Sequence, residues 1–276
     1  MNNEQTSFKM SEAIKFFVLN LDRSKSRLHA AEHKFKDVGL SFERVSGVDG
    51  KDLNIHDHKN YDDIRCRLHL GRSIRAGELG CYLGHLKALE AFLQSDARYG
   101  VIIEDDFKFI DGFQEKLSRV LEWLDQKEHP ENQEKQPHSK GLHWDLLHLS
   151  ARKIHQVTAL QSFGFSTLYR AHYFPMSGVG ILWTRNGAKR YLDASKTLWS
   201  TFDAFNRSFY TRNQRGLCLY EPLVLPDGKT GKSDILGIQS TYENHPLKVL
   251  IHKRRLIVEK TIATWFKIKA LLSNKA

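Results

Sequence analysis

Three adjacent acidic residues, Glu104, Asp105 and Asp106, directly follow the apolar run 101–103. The run is typical of a buried strand, and ligands of open α/β sheets bind outside the carboxyl ends of the strands. Adjacent carboxylates repel one another unless a cation or hydrogen-bond donors neutralise them. Hard divalent cations take carboxylate oxygens and often share them with substrate phosphates. The triplet therefore predicts a metal and phosphate site at the sheet edge, with a solvated acidic turn as the alternative.

A second polar group follows the first apolar run, residues 14–19, which is typical of another buried strand. Asn20, Asp22 and Arg27 come at the end of this strand and share an edge with the acidic triplet if the sheet is parallel. The start of the following helix suits an anion, and Asp22 is alternatively placed to hydrogen-bond a nucleoside hydroxyl. Capping of that helix by Asp22 or Ser24 is the other interpretation.

A third group lies in the glycine-rich segment 77–89, which contains Glu78, His85 and Lys87. Glycines at the start of a helix permit close backbone approach to a ligand. His85 and Lys87 are placed to meet a diphosphate. A tightly packed helix with a buried or surface histidine is the alternative.

Alternating strands and helices must position these groups. The strand 14–19, a helix from Leu28 to Val38 and a strand at 42–48 form a βαβ unit, and such units make parallel sheets. Further helices are predicted at 79–93, 113–124 and 186–194, and further strands at 99–103, 144–149, 169–174, 179–184 and 217–225. Segment 51–73 shows no clear pattern, and the polar segment 125–141 is predicted to be an exposed loop.

The composition is that of a globular α/β protein. The chain has 276 residues, of which 41% are hydrophobic and 27% charged, enough for one large domain or two small ones. Its three cysteines lack the spacing of a disulfide framework or a zinc site and fit a reducing compartment, so we expect a cytoplasmic location. We see no secretory signal and no membrane-spanning run. The net charge of +10 favours polyanionic neighbours.

Five motifs in chain order carry a resemblance to a known family. They are Phe17–Ser24, Phe42–Gly50, Gly77–Ala88 followed by Ile103–Asp106, Trp144–Leu149 and Gly178–Ala188. Together they resemble glycosyltransferase family 25, bacterial lipooligosaccharide glycosyltransferases related to collagen galactosyltransferases. The match covers roughly residues 14 to 240. Two departures are Gly84, where the family usually has serine before the histidine, and a poor match after Asp203, where acceptor contacts are expected.

The resemblance implies an α/β, GT-A-like fold with a Rossmann-like, mostly parallel central sheet flanked by helices. It also implies a UDP-sugar donor, usually UDP-galactose, a divalent metal (Mn²⁺ or Mg²⁺) and an inverting reaction. By analogy, Asp106 and Glu104 are the expected metal ligands. The residues expected to bind the donor are Asn20, Asp22, Arg27, Asp49, Glu78, His85, Lys87, Glu104 and Asp105.

An inverting displacement needs a base within reach of the acceptor hydroxyl. Asp203 is our candidate because it lies among aromatic residues and follows a predicted helical stretch; a helix cap is the alternative. Glu221 and Asp145 are alternates for the base. Asp234 is expected near the site without an assigned role. His245 and His252 are each either a further metal ligand or an ordinary packed or surface residue.

The expected function is metal-dependent transfer of a hexose, with β-galactosyl transfer favoured, to an acceptor in lipooligosaccharide or lipopolysaccharide biosynthesis. A catalytically inactive family member that binds a glycan or nucleotide is the alternative. The net charge also suggests nucleic-acid binding as a competing interpretation. The sequence has none of the patterns of the common nucleic-acid-binding motifs, so we expect no nucleic-acid partner. A phosphotransferase is disfavoured by the lack of a GxxxxGK[ST] loop.

We divide the chain into an N-terminal tail (1–13), a catalytic domain (14–245) and a basic helical segment (246–276). The catalytic domain has a donor-binding half (14–124), an exposed loop (125–141) and an acceptor-side half (142–245). Residues 248–276 carry eight lysines and arginines against the single acid Glu259. This segment either attaches to an anionic leaflet, the cytoplasmic face of the inner membrane, or packs its aromatic face, including Trp265, on the domain.

Overall fold

The computed structural model describes residues 13–128, 141–151, 153–228 and 245–273. The first half of the chain forms, in order, β1 (Ile14–Asn20), α1 (Lys25–Asp37), β2 (Glu43–Ser46), α2 (Asp63–Leu70), α3 (Ala76–Gln94), β3 (Tyr99–Glu104), β4 (Phe107–Phe109) and α4 (Phe113–Glu128). The second half forms β5 (Leu146–His148), β6 (His155–Ser162), β7 (Thr167–Tyr173), β8 (Gly180–Thr184), α5 (Arg185–Ala194), α6 (Phe202–Asn213), β9 (Gly216–Leu219), β10 (Val224–Pro226) and α7 (Lys248–Ser273). The N-terminal tail, most of the loop predicted at 125–141 and Asp234 lie outside the described residues.

The central sheet has eight strands in the order β2-β1-β3-β8-β5-β9-β7-β6. Strand β1 pairs in parallel with both β2 and β3, as the predicted βαβ unit requires. Strands β8 and β7 run against their neighbours, so the other six strands share one direction. The predicted α/β, GT-A-like fold is confirmed, and the two reversed strands lie in its second half.

Alternate residues of the central strands point to opposite faces of the sheet, as the period of a strand dictates. Phe17 and Ile102 pack into one hydrophobic cluster, which α3, α5 and α6 cover. Val18 and Ile103 pack into the other cluster, which α1 and α4 cover. Burial on both faces explains why these strands appear in the sequence as uninterrupted apolar runs. The layers hold the carboxyl end of β3 at a fixed place.

Four predicted segments differ from the structure. Segment 51–73 contains α2, which begins after its cap Asp62 and ends at Gly71 in the left-handed conformation. Helix α4 extends through the first residues of the predicted loop, to Glu128. The strand predicted at 217–225 is two strands, because β9 joins the central sheet while β10 pairs with β4. Asp203 follows the predicted helix, α5, as expected, but it also belongs to the first turn of a further helix, α6, that was not predicted.

Candidate active site at the carboxyl edge of β1 and β3

A cleft opens at the carboxyl edge of β1 and β3. The two strands pair with Leu19 opposite Glu104, which brings Asn20 beside the acidic triplet. Both polar groups therefore share one edge, as expected for a parallel pair. The cleft lining comes from four stretches of the first half of the chain, within 19–27, 47–50, 77–84 and 104–106.

Asp105 is buried and held from two sides. The side-chain amide of Asn20 donates to its Oδ2 at 2.7 Å, and Arg27 forms an ion pair with its Oδ1 at 3.3 Å. Burial raises the pKa of Asp105, while the contacts with Asn20 and Arg27 lower it. Because both oxygens have partners, this carboxylate fixes the end of β3 and the start of α1 relative to each other.

Asp106, unlike Asp105, has a carboxylate oxygen without a partner in the described part of the chain. Its Oδ1 atom is buried and has no hydrogen-bond partner among the described residues. Burial, followed by the charges of Glu104 and Asp105, raises the pKa of Asp106 to about 6. A carboxylate that is desolvated, unpaired and next to like charges is stabilised by a cation. Asp106 therefore fits the predicted role of metal ligand.

Glu104 contacts α3 and the segment before β8. Nε2 of His85 lies 3.3 Å from its Oε1. Cys81 completes a group with these two residues, in which one ligand atom of each lies within 4.8 Å of the others. A Cβ at Gly178 would lie 2.4 Å from Oε1 of Glu104, so only glycine fits there without displacing the carboxylate.

His85 connects α3 to α6 behind the cleft. Its side chain is 1% exposed and stacks on Phe202, with ring centroids 3.7 Å apart and planes 7° apart. Since Nε2 contacts Glu104, His85 orients that carboxylate from inside the protein. The sequence suggested contact with a diphosphate, whereas the structure leaves His85 out of the cleft lining.

Asp203 lies at the start of α6, one residue after the ring that stacks on His85. The cap of α6 is Thr201, whose side chain accepts a hydrogen bond from the backbone of Ala204, so Asp203 is free of the capping role. Burial, followed by the charge of Glu104, raises the pKa of Asp203 to about 7. A carboxyl group with such a pKa can accept a proton near neutral pH.

Besides His85, three predicted donor-binding residues lie outside the cleft lining. Asp22 is exposed and accepts hydrogen bonds from Arg44 and Ser46. Glu78 is held by both terminal nitrogens of Arg72 and caps the start of α3. Lys87 donates to the backbone oxygen of Ser46 at 3.0 Å. These three contacts hold the elements around the cleft together.

Asp49 does line the cleft, where it caps a short 3-10 turn and forms an ion pair with Arg23. Arg23 was absent from the predicted set, as were Cys81 and Gly178. Arg23 stands beside Asp22 in a motif that had been singled out, and Cys81 stands one turn before His85. Their position within those motifs could have indicated that Arg23 and Cys81 belong to the site. The requirement for glycine at 178 depends on its contact with Glu104, which the sequence does not show.

The alternates for the base are not in the cleft. Glu221 is exposed and follows β9, which two other strands separate from β3. Asp145 precedes β5 and so lies at the opposite, amino edge of the sheet, buried and paired with Arg190 and Arg215. The structure therefore excludes Asp145 as a base for this cleft.

The two histidines near the C-terminus make local contacts. Nδ1 of His245 accepts a hydrogen bond from the backbone of Leu247, and its own backbone N–H bonds to Gly71. His252 lies beside Arg255 on α7. Neither histidine belongs to the cleft lining, so a metal-binding role gains no support.

A family model described as "Glycosyltransferase family 25 (LPS biosynthesis protein)" matches residues 13–205, well over half of the chain. The chain belongs to glycosyltransferase family 25. It is 32% identical over 113 residues, 38% of its length, to a "Glycosyltransferase 25 family member" of Drosophila pseudoobscura pseudoobscura. It is 25% identical over 146 residues, 50% of its length, to "Procollagen galactosyltransferase 2" of Homo sapiens.

A relative from Rattus norvegicus is named "Probable inactive glycosyltransferase 25 family member 3". The chain is 25% identical to it over 243 residues, 82% of its length. The family thus includes relatives named as enzymes and relatives named as inactive. The matches span 17%, 40% and 21% of the Drosophila, rat and human relatives, so the chain corresponds to less than half of each.

Proposed function

We propose that this family 25 chain is an active, metal-dependent inverting hexosyltransferase that uses a UDP-sugar, UDP-galactose in the first instance. The acceptor we propose is a saccharide of lipooligosaccharide or lipopolysaccharide, and the place is the cytoplasm. The observation that carries the proposal is the unpartnered, buried Oδ1 of Asp106 at the edge of the cleft. It lies next to Glu104, which also lines the cleft.

Asp106 and Glu104 offer hard oxygen ligands to Mn²⁺ or Mg²⁺, which suits the expected cofactor. Such a cation neutralises charge on a leaving diphosphate. His85 and Gly178 keep the Glu104 carboxylate in place. Asp105 is assigned a positioning role in this proposal, because Asn20 and Arg27 already contact its oxygens.

The donor nucleotide is proposed to occupy the cleft between the β1–α1 turn and the start of α3. Gly77 lines the cleft at the start of α3 and would allow the nucleotide close to the backbone, whereas Gly80 lets α3 pack against the backbone of Val48. Arg23, in the β1–α1 turn, adds a positively charged side chain to the cleft lining. Asp203 is proposed to accept the proton of the acceptor hydroxyl, for which its raised pKa is well placed.

An inactive, ligand-binding role is the second candidate, and a specific observation favours it. Relatives that align with most of the chain are named inactive in rat and mouse. In this chain Oδ1 of Asp106 is buried in the cleft without a partner among the described residues, and the pKa of Asp203 is raised to about 7, as a base near neutral pH requires. We therefore rank transfer above binding alone.

The test is a thermal-shift panel of UDP-galactose, UDP-glucose, UDP-GlcNAc and GDP-mannose with Mn²⁺, followed by measurement of UDP release. We expect the largest shift with UDP-galactose and UDP release that increases when a lipooligosaccharide preparation is added. A shift without UDP release in any condition would assign the chain to the inactive class. A flat panel would contradict both candidates.

A further inference from the structure

The outward face of α7 combines apolar and basic side chains. Thirteen large apolar side chains are exposed in the described part of the chain, and nine of them lie between Leu247 and Leu272. Leu250, Ile257 and Ile268 follow one another at spacings of seven and eleven residues, which places them on one side of a helix. Trp265 is 56% exposed. The expectation that the aromatic face packs on the domain is therefore wrong for Trp265.

The orientation of α7 is set by the residues that it buries against the domain. Glu259 and Ala263 are the buried residues of the helix. The helix packs them against β6, β7, α2 and α6. The apolar residues left outside are interspersed with Lys253, Arg254 and Lys260, which are also exposed. Such a mixture is characteristic of helices that lie in a membrane interface.

Helix α2, which packs against α7, also exposes large apolar side chains. Ile64 is 76% exposed and Leu68 is 58% exposed. Leu68 also lines a groove of about 500 Å³ between α2 and α6, where it is joined by two arginines, Arg65 and Arg212. Both walls of the groove contact α7. We call the outward face of α7, the exposed side of α2 and this groove the basic apolar surface.

The groove is suited to an anion. The guanidinium of Arg65 lies 4.1 Å from the ring centroid of Trp199, so its hydrogen-bond donors stay available. Arg212 donates to Ser208, and no carboxylate lines the groove. Burial lowers the pKa of His69 to about 3, and the nearby charges of Arg255, Arg212 and Arg65 add to the effect.

We propose that the basic apolar surface binds an anionic lipid bilayer, with α7 lying in the interface and a lipid phosphate in the groove. The helix is about 39 Å long at 1.5 Å per residue. In the described parts of the chain, no helix has the length and apolar character needed to cross a bilayer. The mixture of apolar and basic side chains on the outward face of α7 supports attachment along the membrane surface. It is independent of the transfer reaction proposed above.

The positive charge of α7 favours an anionic bilayer over a protein as its partner. Helix α7 carries seven lysines and arginines and one acid, Glu259, which is buried. An anionic leaflet attracts each basic side chain near its surface and accepts the apolar side chains between them. A protein partner would have to supply both an apolar strip and scattered acids along the same length.

The test is sedimentation of the full chain with vesicles of phosphatidylcholine, with and without phosphatidylglycerol. We expect binding to the vesicles with phosphatidylglycerol, loss of binding at high salt, and little effect of added inorganic phosphate. The double variant Ile257→Ser, Ile268→Ser should bind at least about tenfold more weakly because two apolar side chains no longer insert. Arg65→Gln with Arg212→Gln should weaken binding to the same vesicles by several fold.

Tyr220→Ser is the matched control, since Tyr220 is 59% exposed but lies outside the basic apolar surface. This control should bind like the unaltered chain, and all variants should show equal thermal unfolding. Equal binding to both vesicle types, or none to either, would overturn the proposal. Self-association that the double serine variant abolishes, without vesicle binding, would assign the surface to a second copy of the chain.

Discussion

The two halves of the chain contribute differently to the candidate site. Residues 14–106 form the cleft lining and bind their charged groups to one another, as Asn20 and Arg27 do with Asp105. Residues 178–205 add few groups, among them Gly178, which closes on the Glu104 carboxylate. The partly buried Asp203 lies outside the cleft lining, but the charge of Glu104 helps to raise its pKa. Among the described residues, most charged groups of the first half are paired with one another and Asp106 is an exception, whereas the second half supplies Asp203, whose pKa is raised to about 7.

This difference suggests a division of roles. The paired charges of the first half are suited to holding a donor nucleotide in one place. The two carboxyl groups with pKa values of about 6 and 7, Asp106 and Asp203, come one from each half. We infer that the reaction centre lies where the halves meet at Glu104.

The largest effect is expected from the first half. Asp106→Asn removes a negative ligand without changing the size of the side chain, and transfer should fall on the order of 10³-fold. The fold should remain intact because the affected oxygen has no partner in the protein. UDP release with Mn²⁺ measures the effect, and Asp111→Asn, at an exposed position beyond β4, is the control. Turnover like that of the unaltered chain would remove Asp106 from the mechanism.

The corresponding change in the second half is Asp203→Asn. If Asp203 is the base, kcat should fall about 10²–10⁴-fold while the Km for the donor changes little. In the unaltered chain, kcat/Km should rise with pH up to about 7, where the base loses its proton. The variant should lack this rising limb, whereas Asp193→Asn, at a 71% exposed carboxylate, should retain it.

The same substitution has an effect on stability with a definite sign. The pKa of Asp203 in the folded protein, about 7, is above its ordinary value of 3.8. The folded state therefore favours the protonated form, and the carboxyl group destabilises the protein increasingly as pH rises from about 4 to 7. Asp203→Asn should melt at a higher temperature than the unaltered chain at pH 8 and at an equal temperature near pH 4. A lower melting temperature at pH 8 would contradict the burial of this group.

A smaller effect tests the contact between the halves. Gly178→Ala places a Cβ 2.4 Å from Oε1 of Glu104, and moving that carboxylate should reduce transfer roughly tenfold. Gly228→Ala is the control, because a Cβ there would meet no described atom within 4 Å and Gly228 lies outside the cleft lining. Equal activity of the two variants would show that the position of Glu104 is unimportant.

The smallest effect on activity is expected from Glu78→Gln. Glu78 is bound to Arg72 and does not line the cleft, so the Km for the donor should change less than about twofold. Thermal unfolding should show a loss of about 1–2 kcal/mol because a two-point ion pair and a helix cap are weakened. A large rise in Km with unchanged stability would restore Glu78 to the donor site.

The sequence placed several groups of the first half at the sheet edge where the cleft opens, because these groups directly follow buried strands. Asn20 and Asp106 lie at the ends of apolar runs, and the parallel pairing of those runs follows from the βαβ pattern. The sequence did not predict which side chains form ion pairs or hydrogen bonds with those groups. Examples are the ion pair between Arg72 and Glu78 and the one between Arg27 and Asp105. Both depend on side-chain geometry, which local sequence patterns do not contain.

The second half was harder to predict for a topological reason. Asp145 and Glu221 were plausible bases in the sequence, but strand direction and order place them away from the cleft. Helix α6 has buried residues on most of its turns, including Phe202, Phe205 and Tyr210, so it lacks a clear amphipathic pattern. Asp203 was found through its aromatic neighbours, and its proximity to Glu104 became evident from the fold alone.

The central claim is that Asp106 holds a cation that in turn holds the donor diphosphate. The most direct measurement is calorimetric titration of UDP into the unaltered chain and into Asp106→Asn, each with Mn²⁺ and with EDTA. We predict that Mn²⁺ strengthens UDP binding at least about tenfold in the unaltered chain and has no effect in the variant. Equal affinity for UDP in all four titrations would contradict the account.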